Sequence, residues 1–143
     1  MTLSAKLTLL CRAYWAVIRA KIKVTLLPSH KLVRHLGLAQ APMSIPTHAL
    51  QDTLSIKRIV KAIKLSQKLL PFHCSCLVLA MATQQLLEHA QQPYELHLGL
   101  RKEKGKLAAH AWITSQGMAV IGVPQEDEFT PIAQFNPKNQ NAD

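Results

Sequence analysis

The hydrophobic pattern of this chain changes period once, at Pro93, and that change limits which folds are open to it. Before Pro93 the apolar residues recur at three- and four-residue steps, the spacing of helices packed through one face. After it, Tyr94, Leu96, Leu98 and Leu100 alternate with Glu95, His97 and Gly99, the spacing of a strand. A chain that writes its helices first and its strands last is an α+β arrangement. The expected fold is N-terminal helices and a central helix packed on a small antiparallel sheet. At 143 residues it is long enough to bury a core, and one domain over 1–143 is expected. That domain divides into a helical part over 1–52, a core over 53–135 and a polar tail over 136–143.

The spacing predicts a helix over 1–27, with Leu3, Leu7, Leu10, Cys11, Tyr14, Ile18 and Ile22 as its buried stripe. Trp15 beside basic residues also allows docking on a membrane or on a partner's helix. Pro28-Ser29 ends the pattern, a short helical piece fits Lys31–Leu38, and residues 39–51 read as a loop. His30, His35 and His48 fall there as surface histidines. A second helix is expected from Thr53 to Leu70, capped by Thr53 or Ser55. Ile56, Ile59, Val60, Ile63 and Leu70 form its apolar stripe, and Lys57, Lys61, Lys64 and Lys68 line the opposite face.

Pro71 ends that helix, and the next is expected from Ser75 or Cys76 to Ala90. Its unbroken apolar block, Leu77 to Ala82, marks it as central and buried on several sides. Beyond Pro93, strands are expected over Tyr94–Leu100, Leu107–Thr114, Met118–Val123 and Phe129–Phe135. A charged turn joins the first two, over Arg101–Lys106. Gln116-Gly117 is the next hairpin signal. Alternation puts His110 and Trp112 on one face of the second strand, and Ala109, Ala111 and Ile113 on the other.

Composition narrows the partners. The chain carries 17 Lys and Arg against eight Asp and Glu, a formal charge of +9. Such a surplus favours an acidic peptide, a phosphate backbone or an anionic membrane surface. The lysine row lacks interleaved aromatic residues, which argues against single-stranded nucleic acid. No uncharged run is long enough to span a bilayer, so membrane insertion is not expected. Three cysteines, Cys11, Cys74 and Cys76, form no disulfide framework and fit a reducing, cytoplasmic setting.

The chemistry centres on Cys76 and His110. A thiolate is a nucleophile, and a helix N-terminus favours that anion. The same helix end can hold the oxyanion formed when the thiolate attacks a carbonyl. An imidazole can take the thiol proton and return it to the leaving amine. The bland alternative for Cys76 is a small core residue. A zinc set of His73, Cys74 and Cys76 with His97 or His110 lacks the Cys-x-x-Cys spacing, so no metal and no cofactor is expected.

The run Cys76-Leu77-Val78-Leu79-Ala80-Met81-Ala82, with Leu86-Leu87, Pro93, Leu98-Gly99-Leu100, Ala109-His110-Ala111-Trp112, Val120-Ile121-Gly122 and Phe129 to Phe135, resembles the lasso-peptide leader peptidases. These are microcin-processing, transglutaminase-like cysteine proteases of bacteria, and the likeness covers residues 53–135 best. It implies a papain/transglutaminase-like fold. It implies leader removal from a ribosomally made precursor peptide, with Cys76 as nucleophile and His110 as base. It also implies two partners: a separate small leader-binding protein and an ATP-dependent macrolactam cyclase. A catalytically idle scaffold that presents the precursor, and a transglutaminase-like acyl transferase, are the alternatives.

This chain departs from the family pattern at three places. Gly122 stands where the family's aspartate is expected, and a glycine has no side chain to orient an imidazole. That role is left to Gln125, Glu126, Asp127 or a backbone carbonyl. Thr114 stands where many members carry glutamate, and Gln91 where they often carry a helix-ending glycine.

Overall fold

The computed structural model describes residues 2–26, 52–115, 118–123 and 130–135, the last as backbone. Among these residues three helices, α1 (Leu3–Leu26), α2 (Thr53–Leu69) and α3 (Cys76–His89), precede four strands. The strands are β1 (Glu95–Glu103), β2 (Lys106–Ser115), β3 (Met118–Ile121) and β4 (Thr130–Phe135). The architecture is α+β, as the change of period implies. The short helix expected at Lys31–Leu38, the loop 39–51 with His48, and His30 and His35 lie outside the described residues. So do the Gln116-Gly117 turn, the acidic segment 124–128 and the tail.

The sheet is antiparallel, in the order β3-β2-β1-β4. β1, β2 and β3 form the expected meander. The chain then crosses to the far edge, and β4 pairs with β1. Pro131 is tolerated there because an edge strand has one side without ladder bonds. The charged turn is shorter than expected. Arg101, Lys102 and Glu103 continue the ladder to Lys106, leaving only Lys104 and Gly105 to turn. Both have positive φ, 49° and 78°, the two-residue geometry that matches strand twist.

α3 is the central element, packed against α1, α2, β2 and β3. Val78, Ala82 and Leu87 are fully buried, and Thr83 is sealed by donating its hydroxyl to the Leu79 carbonyl. Leu96, Ala111 and Ile113 meet the same cluster from the sheet. α3 ends at a left-handed residue, Gln91, with φ 54°. The Gln92 N–H bonds back to the Leu87 carbonyl and the Gln91 N–H to the Glu88 carbonyl. This paired closure usually uses glycine, so the glutamine at this place occupies a glycine conformation.

α2 starts at Thr53 as expected, but its cap lies one residue before the expected candidates. Its cap is Asp52, whose carboxylate accepts from the Leu54 and Ser55 N–H groups, and neither Thr53 nor Ser55 has that role. Ile56, Ile59, Ile63 and Leu70 are buried, Val60 is half-buried, and the four lysines are exposed.

The stripe expected on α1 faces the core only in part: Tyr14 and Ile18 pack against it, half-buried, and the rest does not. Leu3 is 82% exposed, Leu7 60% and Ile22 50%. The buried row is Ala13, Ala16, Val17 and Ala20. Small side chains let α1 approach α2 and α3 closely, whereas a row of leucines would hold it off. Periodicity selected the largest residues, and packing selected the row that fits.

Candidate active site

Cys76 is the first residue of α3, and Ser75 is the cap. Ser75 suits this place because its hydroxyl accepts from the Val78 N–H while its carbonyl accepts from Leu79. The N–H groups of Cys76 and Leu77 therefore have no acceptor within the helix. The Cys76 thiol is partly exposed beside them. Two residues earlier the chemistry differs. Cys74 is 4% exposed, and burial pushes its thiol pKa up against the opposing charge of Lys21. Cys74 is a packing residue.

His110 lies in the middle of β2, opposite Gly99 on β1. Its Nε2 lies 2.5 Å from the carbonyl oxygen of Gly122. A carbonyl only accepts, so Nε2 carries the hydrogen and Nδ1 is the basic nitrogen of the neutral ring. Gly122 was discounted in the sequence for want of a side chain, but its main chain makes the contact. The backbone there has φ +69°, and a Cβ would sit 3.2 Å from the Ala111 carbonyl oxygen and 3.8 Å from His110 Nε2. Glycine both permits the turn and lets the carbonyl approach the ring.

A row of rings backs His110. It stacks on Trp112 at 5.8 Å, and Trp112 stacks on His97 at 5.3 Å. His97 Nε2 donates to the Thr114 hydroxyl at 2.9 Å, which donates to Glu95 at 3.3 Å. Thr114 thus bridges His97 and Glu95. Burial lowers the His97 pKa, and the nearby Glu95 carboxylate opposes this. The alternation of β1 and β2 placed these residues on one face, but their hydrogen bonds could not be read from spacing.

His97 is therefore committed to the sheet, and the zinc set with His73, Cys74 and Cys76 is not assembled. Among the described residues no three His, Cys, Asp or Glu side chains are grouped to hold a metal ion.

The model of the transglutaminase-like superfamily core domain matches residues 14–134. The chain belongs to that superfamily. Its members are generally cysteine peptidases and acyl transferases, so the coarse activity of the transglutaminase-like chain is of that type. The match begins within α1, which makes that helix part of the domain and extends the likeness well before residue 53. No curated protein and no solved structure matches the chain. Among the described residues no helix is long and apolar enough to cross a membrane.

Proposed function

We propose that this chain is a cysteine peptidase that removes the leader from a ribosomally made lasso-peptide precursor. The observation that carries the reading is Cys76 at the start of α3, beside two N–H groups that have no acceptor in the helix, in a transglutaminase-like chain. His110 on β2 is the base in this reading; Ala111 and Ile113 are the β2 residues that meet the α3 cluster, and His110 alternates to the other face with Trp112.

In this reading His110 Nδ1 takes the Cys76 proton, and the thiolate attacks the scissile carbonyl. The oxyanion that forms is held by the Cys76 and Leu77 N–H groups. The protonated ring then gives its proton to the leaving amine, and a thioester remains on Cys76. Water, deprotonated by the same ring, releases the leader acid and restores the thiol. The Gly122 carbonyl holds the ring in one orientation, the role that an amide or carboxylate has in related sites. The reading requires the Cys76 sulfur to reach Nδ1 around the N-terminal end of α3.

The partners in this scheme are the precursor peptide, a separate small leader-binding protein and an ATP-dependent macrolactam cyclase. The test is cleavage of a precursor in the presence of its leader-binding protein. Cys76→Ala and His110→Ala are each expected to abolish cleavage while circular dichroism shows an intact fold. Cleavage by a folded Cys76→Ala protein would overturn the reading. Product masses separate hydrolysis from acyl transfer, since transfer leaves the leader joined to an amine.

A further inference from the structure

A groove of about 430 Å³ runs between α2 and β3, within the usual range of ligand sites (about 300–1,000 Å³). Lys57, Lys61, Lys64 and Lys68 line one wall, and Val60 and Val120 contribute to its apolar floor. None of the four lysines has an ion-pair partner among the described residues. The other wall is β3, the last strand on its side of the sheet.

We propose that this groove binds an extended acidic peptide laid beside β3. Four unneutralised cations call for an anionic occupant, and the apolar floor favours one that also carries apolar side chains. The outer side of β3 supplies main-chain groups that only another extended chain matches. The spacing agrees. Lysines four residues apart on a helix are about 6 Å apart along its axis. Alternate side chains of a strand are about 6.8 Å apart, close to that step, and with Lys61 and Lys64 only about 4.5 Å apart three acidic residues at alternate positions span the row of four. The lysine row covers about 16 Å of helix, which matches about five residues of extended chain.

The strand beside this groove leads directly to Gly122, whose carbonyl holds His110. A peptide seated here would be fed toward that ring. This delivery step rests on the peptidase reading, and binding itself does not.

The experiment uses the folded Cys76→Ala protein, so cleavage plays no part. The probe is a fluorescein-labelled peptide of alternating glutamate and valine, followed by polarisation. The double variant Lys61→Glu/Lys64→Glu is expected to weaken binding at least about tenfold, and added salt to weaken it for the parent chain. The amides of β3 that point away from β2 are expected to gain protection from hydrogen exchange when the peptide is bound. Unchanged affinity in the double variant, or no added protection on β3, would overturn the proposal. Tighter binding of an oligouridylate, or of phosphatidylserine vesicles, than of the peptide would also overturn it. If peptide binds as expected while the parent chain cuts no precursor, the groove stands and the peptidase reading falls.

Discussion

The imidazole of His110 is held through Nε2 by the main-chain carbonyl of Gly122, twelve residues further along the chain. The contact ties β2 to the end of β3 and sets the tautomer of the ring. Its geometry depends on a backbone with positive φ, so it can be perturbed at Gly122 without touching the histidine.

Gly122→Ala places a methyl group 3.2 Å from the Ala111 carbonyl oxygen in a backbone region that costs L-residues about 1–2 kcal/mol. The variant should unfold at lower urea by that amount. If His110 is the base, its kcat should fall by up to about a hundredfold with KM little changed, because the ring is displaced by a fraction of an ångström. Equal kcat in a folded Gly122→Ala protein would show that the contact has no part in orienting the base.

Gln91→Gly should have the opposite effect on stability. Gln91 closes α3 at φ 54°, where glycine is unstrained. A gain of about 0.5–1 kcal/mol is expected, limited by the greater freedom of glycine in the unfolded chain. Denaturant unfolding measures it, and a loss of stability would show that the glutamine side chain contributes more than the backbone conformation takes away.

Two half-buried groups give pH dependences of opposite direction. Burial holds the Glu88 carboxyl above the usual carboxylate range, against hydrogen bonds from Tyr94 and Gln84. A carboxyl whose folded pKa is raised favours the folded state at low pH, and that contribution disappears as pH rises through the raised value. Relative to Glu88→Gln, the parent chain should therefore lose stability as pH rises from about 4.5 through the raised value.

His97 has a lowered pKa, so the folded chain resists its protonation. Stability is lost as pH falls from about 6.5 toward the folded value. His97→Phe keeps a ring beside Trp112 and removes this titration. The difference in unfolding midpoint between parent and His97→Phe should shift in favour of the variant as pH drops from 7 to 5. A constant difference would mean that His97 does not titrate in this window.

The three thiols should separate by access. In a Cys11→Ser background, iodoacetamide should modify Cys76 before Cys74, because Cys74 is buried with a raised pKa. Peptide mass mapping over time reads the order. Faster modification of Cys74 would reverse the assignment of the packing thiol.

The change of period at Pro93 was enough to read the α+β order, the apolar block Leu77 to Ala82 the central place of α3, and the two turn signals the pairing of β1, β2 and β3. Those features follow from local spacing, which a single sequence displays. The cap at Asp52 was legible in principle, since an aspartate directly before an apolar period is a cap signal. Three other features were not legible. The face that α1 buries depends on how closely neighbouring helices approach. The pairing of β4 with β1 depends on a crossover that no local pattern records. At the candidate site the residue types pointed to Cys76 and His110, but the Gly122 contact is made by a backbone atom common to every residue, so no letter of the sequence marks it.

The narrow seat of α1 leaves an asymmetry with practical weight. The fully buried row on its inward side is alanine and valine, while Leu3, Leu7, Trp15 and Ile22 face outward. Replacing those outward residues with glutamine or serine should cost little folding energy and make the purified protein less prone to self-association and less retentive on phenyl resin. Enlarging Ala16 to leucine should do the reverse, lifting the helix off its neighbours and loosening the whole bundle.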